Sequence, residues 1–591
     1  MNRSLVMVLA ASIFLLPACG GGPAPADSPR APLDLSNRLP PDSAFMGVVR
    51  LSAVESTLPK LVPEPASRLF ASRVRTLADV VGIDAEKDAW FAVSVGAPMA
   101  ILRSVEDAER IVMESRRGSA PPGAELGKSS AEPTTSMGAS SLNGWVAQVP
   151  LPPAWVHVRL VGTAGESIPS SDALSTVFGA TQVVAEGDPA DSIAAALETT
   201  VEHAARAAHL LSTHRLYRLL DADLPTIVTV SKTDGVVVVD LFQDQELGPN
   251  SLIDALETRL GTTTATTAKP SESAPGSRSL APLKKDELVR VYLDHRRWLL
   301  TTRALGEVVA LQAVLSNGQT ARDEASFLRS ARDAARLPER LMAPTLGTFV
   351  GTEISLAQIS TGLTARLAAR YTEEARAGLS RLTGGRASMA HEAIANAGNV
   401  ALTFALDPPG WSGALGAPIR PQNVSLSVLL QMIAECGFAC LPAAWSTIPG
   451  FALDLAGGLS SIFPELAPMT AALRTLGGAS VIVRGDAKRR TFAAALRPSS
   501  TEASSLWEPL VAGMKADWLG GPSNSTLVLG TSNEAYAVLR DALGPNAAPV
   551  QPVFQLSARG AFGPFFRRLN VNLHFDADEM VLAISGRADT P

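Results

Sequence analysis

The stretch Ile227–Leu241, IVTVSKTDGVVVVDL, decides how the rest of the chain is read. Ile227 to Val230 and Val236 to Leu241 are rich in β-branched residues, which suit a pleated, half-buried surface. Between them stands Asp234-Gly235, a pair that tolerates the positive φ angles of a tight hairpin turn. The segment therefore predicts two antiparallel strands closed by a short turn. The same pattern returns twice. Val481 to Arg484 and Thr491 to Leu496 flank a charged turn, and Asn570 to Phe575 and Met580 to Ser585 flank Asp576-Ala577-Asp578-Glu579.

A helix is predicted over Asp191 to Leu220. Asp191 can cap it, and Ile193, Leu197, Val201, Ala204, Ala208 and Leu211 fall on one stripe at helical spacing. Hairpins with interspersed helices predict an α+β fold of antiparallel sheets with packed helices. A duplicated unit is expected as well. Phe45-Met46-Gly47 and Phe349-Val350-Gly351 open matching segments, with Ala53/Ala357, Ser56/Ser360 and Thr57/Thr361 at equal offsets, each read as a strand running into a helix. A second local pattern, Trp298 to Thr302 and Leu527 to Ser532, precedes an apolar helical stretch in both places.

Low-complexity segments divide the chain. Residues 117–141 are rich in Gly, Ser, Ala and Pro and read as a surface loop; residues 261–282 are Thr/Ser/Pro-rich and read as a linker. The expected organisation is an N-terminal α+β domain over 40–260 and a C-terminal α+β domain over 283–591. With 591 residues, 46% of them hydrophobic and 18% charged, either half can bury a core without disulfides.

The N-terminus reads as an address. Arg3 supplies a positive start, and Leu5 to Leu16 is an uncharged stretch of twelve residues. That is too short to cross ~30 Å of hydrocarbon as a helix, but it suits the apolar region of an export signal. Leu16-Pro17-Ala18-Cys19 then resembles the lipobox of bacterial lipoproteins, although Pro17 departs from the usual small residue. The resemblance covers residues 1–19. It implies that Cys19 is diacylated and becomes the mature N-terminus, with palmitate-type chains as the membrane anchor. Residues 20–39 then form a Gly/Pro-rich flexible tether. Gly20 stands where an Asp retains some lipoproteins in the inner membrane, which points to the outer membrane.

Several chemistries can be weighed and set aside. His203, His209 and His214 lie in the predicted helix, where His203 and His214 face alike but stand ~16 Å apart, too far for one zinc. His391-Glu392 begins a zincin-like motif that fails at Ala395. Gly123 to Ser129 is one residue short of a P-loop and lies in a Pro/Ser-rich segment. Asp576 and Asp578 mimic the start of a calcium loop without its glycine and terminal glutamate. No nucleophile elbow or dinucleotide fingerprint is found, so no catalytic, cofactor or metal residue is assigned and no enzyme family is recognised. A formal charge of −6, with no basic run longer than Lys488-Arg489-Arg490, gives no nucleic-acid footprint.

Two features remain. Cys436 and Cys440 form a C-x-x-x-C pair, read as a local disulfide, a reduced buried pair or a redox pair; an oxidising envelope permits the first. They sit in the nearly uncharged stretch 421–453, where Leu429, Ile433, Phe438 and Trp445 are candidates for an apolar ligand site or partner interface, against the plainer reading of buried core helices. The sequence thus points to a lipid-anchored envelope protein with a non-catalytic binding, scaffolding or assembly role. The alternatives are a carrier or sensor of hydrophobic ligands using 421–453, and a hydrolase whose site is assembled from distant residues.

Overall fold

The computed structural model describes residues 34–53, 78–96, 155–165, 181–184, 190–197, 214–220, 226–244, 251–260, 282–301, 349–359, 362–373, 399–405, 476–485, 490–498, 515–519, 526–543, 554–562 and 566–587, with a few single residues between them. Its strands, in chain order, are β1 (Phe45–Arg50), β2 (Asp88–Val95), β3 (Trp155–Thr163), β4 (Thr181–Val184), β5 (Arg215–Leu219) and β6 (Thr226–Thr233). There follow β7 (Val236–Asp244), β8 (Glu287–Asp294), β9 (Phe349–Ile359), β10 (Gly362–Tyr371), β11 (Val400–Ala405) and β12 (Leu476–Gly485). The last six are β13 (Arg490–Pro498), β14 (Lys515–Leu519), β15 (Thr526–Gly530), β16 (Phe554–Phe562), β17 (Phe566–Phe575) and β18 (Glu579–Arg587). Three helices are described: α1 (Ala190–Leu197), α2 (Ser251–Leu260) and α3 (Asn533–Leu543).

The eighteen strands form one sheet. Every pairing is antiparallel, and the spatial order is β4-β5-β6-β7-β3-β2-β1-β8-β9-β10-β18-β17-β16-β11-β12-β13-β15-β14. This corrects the predicted fold class. Among the described residues the protein is β-rich, with one long sheet and few short helices, rather than α+β with packed helices. It also corrects the duplicated unit. Phe45 and Phe349 both begin strands, but Ala53 is helical where Ala357 is still extended in β9. Trp298 likewise lies in a helical turn, whereas Leu527 lies in β15. β1 pairs with β8 over five residues, so strands on either side of residues 261–282 share the sheet.

Local chemistry explains the parts that were legible. The β6–β7 hairpin closes with Thr233 opposite Val236, leaving Asp234 at φ 52° and Gly235 at φ 74° as the two-residue turn that its sequence demands. The 481–496 and 570–585 pairs form β12–β13 and β17–β18. The long helix does not run to Leu220: helix is described over Ala190–Leu197 and again at Val201, Glu202 and Ala205, and Arg215–Leu219 is strand β5, paired on both sides. Leu219 lies at the edge of the helical stripe, but Leu216 stands roughly 100° away from it, so the stripe lapses after Leu211, before β5 begins.

Side chains alternate between two faces. One face carries Phe45, Phe91, Val291, Leu293 and Leu363 in a buried cluster. The other carries Met46, Val48, Trp90, Ala92 and Tyr292, covered by Leu35 and Leu39 from the chain before β1 and by Leu280 and Leu283 from the chain before β8. Farther along this second face, α1 and α2 close over Trp155, Leu216, Ile227 and Phe242. At the other end of the sheet α3 lays Ala535, Tyr536 and Leu539 on Ala401, Ile482, Ala493 and Val528. Burial on both faces explains why β1, β2 and β8 read as near-continuous apolar runs. Gly47 is fixed by this packing, since a Cβ there would stand 2.4 Å from the Phe91 ring.

Candidate functional site

The least ordinary chemistry lies between those two clusters on the second face. In β3, WVHVRLVGT, His157 and Arg159 share the side of the strand that bears Trp155 and Val161. Asp240 is directly opposite Arg159 in β7, and Ser94 directly opposite His157 in β2. Register therefore gathers four polar side chains onto one patch of an otherwise apolar interior. His157 is 0% exposed, Asp240 and Ser94 are 1%, and Arg159 is 6%.

The group is bonded as a chain. Ser94 Oγ is 3.4 Å from His157 Nδ1, and His157 Nε2 is 2.6 Å from Asp240 Oδ1. Arg159 donates from Nε to the same oxygen at 2.6 Å and from its terminal nitrogen to Oδ2 at 3.2 Å. Burial on its own would raise the Asp240 carboxyl; the Arg159 charge and the His157 hydrogen bond outweigh it and hold the group at about 2. Burial likewise pushes His157 below the ordinary histidine range, against the pull of Asp240. The ring is therefore neutral at pH 7. The ionised carboxylate accepts a hydrogen bond from Nε2–H, which leaves Nδ1 to accept from the Ser94 hydroxyl.

The surroundings fix this arrangement. Phe242 stacks on the His157 ring at 4.5 Å and 3°, and Trp155 meets both rings edge-on. The chain before β1 lies over the patch like a strap. Arg159 Nη1 donates to the Arg38 carbonyl at 3.1 Å, and Arg259 of α2 donates to Asp42 Oδ1 at 2.7 Å while its guanidinium sits 5.0 Å over the Trp155 ring. Arg297 donates to the Pro41 carbonyl. Three arginines from distant parts of the chain thus hold residues 38–42.

Chemically, hydroxyl, imidazole and carboxylate in this order are the parts of a nucleophilic relay. Two features argue against that use. All three groups are buried, with Phe242 stacked on the imidazole, and Arg159 already neutralises the carboxylate that a relay would keep for the imidazolium. The arrangement is better read as a satisfied buried network, in which each charge has a partner and the set fixes one register between β2, β3 and β7. A second buried histidine, His295, meets Thr352 Oγ1 at 2.7 Å and is pushed by burial to about 4. Among the described residues no three His, Cys, Asp or Glu side chains converge on a metal-sized site, and no helix is long and apolar enough to cross a membrane.

Cys19, Cys436, Cys440, Leu429, Ile433, Phe438 and Trp445 lie outside the described residues, as do His203, His209, Ala395 and the 123–129 segment. His214 is buried at the start of β5, and Asp576 and Asp578 are exposed in the β17–β18 turn. The Ser94–His157–Asp240–Arg159 group was missed in the sequence. Its signal is present: a histidine and an arginine at i and i+2 inside an apolar strand, and a lone aspartate ending a run of four valines. No protein-family model matches the chain, and no curated protein or solved structure is significantly similar to it.

Proposed function

We propose that the chain is a lipid-anchored cell-envelope protein, held at the outer membrane through Cys19, whose β-rich body binds partners and carries out no catalysis. The observation that carries this reading is the N-terminal sequence: Arg3, twelve uncharged apolar residues, then Leu16-Pro17-Ala18-Cys19. Acyl chains each contribute ~0.8 kcal/mol per buried CH₂, so two or more hold a protein at a bilayer without a spanning segment. The strap supports the reading from the other side. A tethered body must resist being pulled at its N-terminal end, and the residues that follow the predicted tether are clamped by Arg159, Arg259 and Arg297. The non-catalytic half of the reading is supported by the burial of Ser94, His157 and Asp240.

Cross-linking of native envelopes, followed by recovery of the chain, tests the proposal. A reproducible set of envelope components is expected with the wild type and is expected to disappear with Cys19→Ala. Membrane fractionation of Cys19→Ala unchanged from wild type would remove the anchor. Covalent capture of Ser94 by a fluorophosphonate probe in the native protein would replace binding by hydrolysis.

A further inference from the structure

Three arginines of the sheet stand directly across from acids. Arg50 is directly opposite Asp88, Arg159 opposite Asp240, and Arg370 opposite Glu579. One row breaks the pattern. Arg559 of β16 is directly opposite Arg568 of β17, which is directly opposite Arg587 of β18. Directly opposed residues on neighbouring antiparallel strands share a face, so three guanidinium-bearing side chains line up at ~5 Å strand spacing. Like charges placed this way repel, and nothing in the local backbone requires arginine at these positions.

The surroundings resemble a receiving surface more than a packed core. Arg568 and Arg587 are exposed and Arg559 is half-buried; Arg559 and Arg568 also interact within the chain. Beyond Arg587 the next position in the row is Gly362, which brings no side chain and cannot, since a Cβ there would stand 1.9 Å from the Gly586 carbonyl oxygen. The adjacent row on the same face is Ser557, Asn570, Ser585 and Thr364, all half-buried. These hydroxyl and amide groups both donate and accept, as sugar hydroxyls do. Three fork-shaped cations beside a row of neutral hydrogen-bonding groups match a chain that alternates carboxylate or phosphate groups with hydroxyls. A nucleic acid fits less well, because the patch is three charges wide on a chain of net charge −6.

We infer that the Arg559–Arg568–Arg587 row, with the polar row beside it, binds an anionic glycan. This deepens the envelope-binding reading by naming a partner class. It is measured on purified full-length chain in detergent, whereas anchoring is read at the N-terminus, so either can fail while the other stands. The probes are polygalacturonate, inorganic polyphosphate and neutral dextran.

Polygalacturonate binding is expected, weakening as salt is raised from about 0.01 M to about 1 M, over which the Debye length falls from ~30 to ~3 Å. Dextran is expected not to bind. Arg568→Gln with Arg587→Gln is expected to lower the affinity at least about tenfold, while Arg370→Gln, on the same face but opposite Glu579, leaves it within about twofold. The ligand-free double variant is expected to melt within a few degrees of wild type, since both substituted side chains are exposed. Equal binding of dextran, polyphosphate binding without polygalacturonate binding, or unchanged affinity in the double variant would each overturn the inference. A fall of several degrees in melting temperature with unchanged affinity would make the row structural instead.

Discussion

Arg159→Met puts the buried network under the most direct strain. In the native protein the Asp240 carboxylate, 1% exposed, receives two bonds from Arg159 and one from His157. Methionine fills similar volume but leaves the carboxylate with one neutral donor. Removing one partner of a buried pair costs ~3–5 kcal/mol, most of it from the charge left behind. The cost should depend on pH with a definite sign. In the wild type, Asp240 titrates at about 2, below its unfolded value of 3.8, so its contribution is present above pH 3.8 and lost as pH falls through 2. Without Arg159, burial dominates and raises the group, so the variant suffers most at neutral pH and approaches wild type as pH falls below 3.8. Adding Asp240→Asn removes the stranded charge while keeping a carbonyl to accept from His157, and should recover about 2 kcal/mol of the loss. Equilibrium urea unfolding of the four proteins at pH 7 and pH 4 measures this directly. A cost below ~1 kcal/mol for Arg159→Met, or single-variant effects that add within ~0.5 kcal/mol, would refute a coupled buried ion pair.

Other expectations follow from single positions. His295 titrates at about 4 when folded against 6.5 unfolded, so stability should be complete above pH 6.5 and fall by ~3 kcal/mol as pH drops to 4; His295→Gln should flatten that part of a stability–pH profile, and an unchanged slope would show that another group is responsible. Gly235 sits at φ 74° with open space where a Cβ would go, so Gly235→Ala should cost ~1–2 kcal/mol from backbone strain alone; a neutral result by thermal unfolding would mean the turn relaxes to another type. Leu539 of α3 is fully buried against the sheet, and Leu539→Ala should cost ~2–5 kcal/mol; hydrogen exchange should place the loss in α3, β13 and β15, and unchanged protection there would contradict the described packing.

What could be read from the sequence was local. Asp234-Gly235 between two valine-rich runs specifies a hairpin from adjacent residues alone, and the other two hairpins were legible for the same reason. The sheet order was not, because pairings such as β1 with β8 join residues more than 230 positions apart and leave no periodic trace. The predicted helix over 191–220 overruns because no Gly or Pro between Glu198 and Leu220 marks a stop, although its apolar stripe lapses after Leu211. The duplication rested on Phe45, Gly47 and their counterparts, positions set by close packing within a strand rather than by a repeated unit. The buried network was legible only in part: His157 and Arg159 stand out within an apolar strand, but nothing local says that Asp240 lies opposite them. The Arg559–Arg568–Arg587 row is invisible until register is known, since its members are spread over 29 positions.

The central claim is that Cys19 carries the anchor, and intact-mass and N-terminal peptide analysis of the chain purified from native membranes tests it most directly. A mature chain beginning at Cys19, with residues 1–18 removed and the added mass of a diacylglyceryl group on its sulfur, is the expected result. A chain that retains Met1, or one cleaved elsewhere with an unmodified Cys19, would contradict the account.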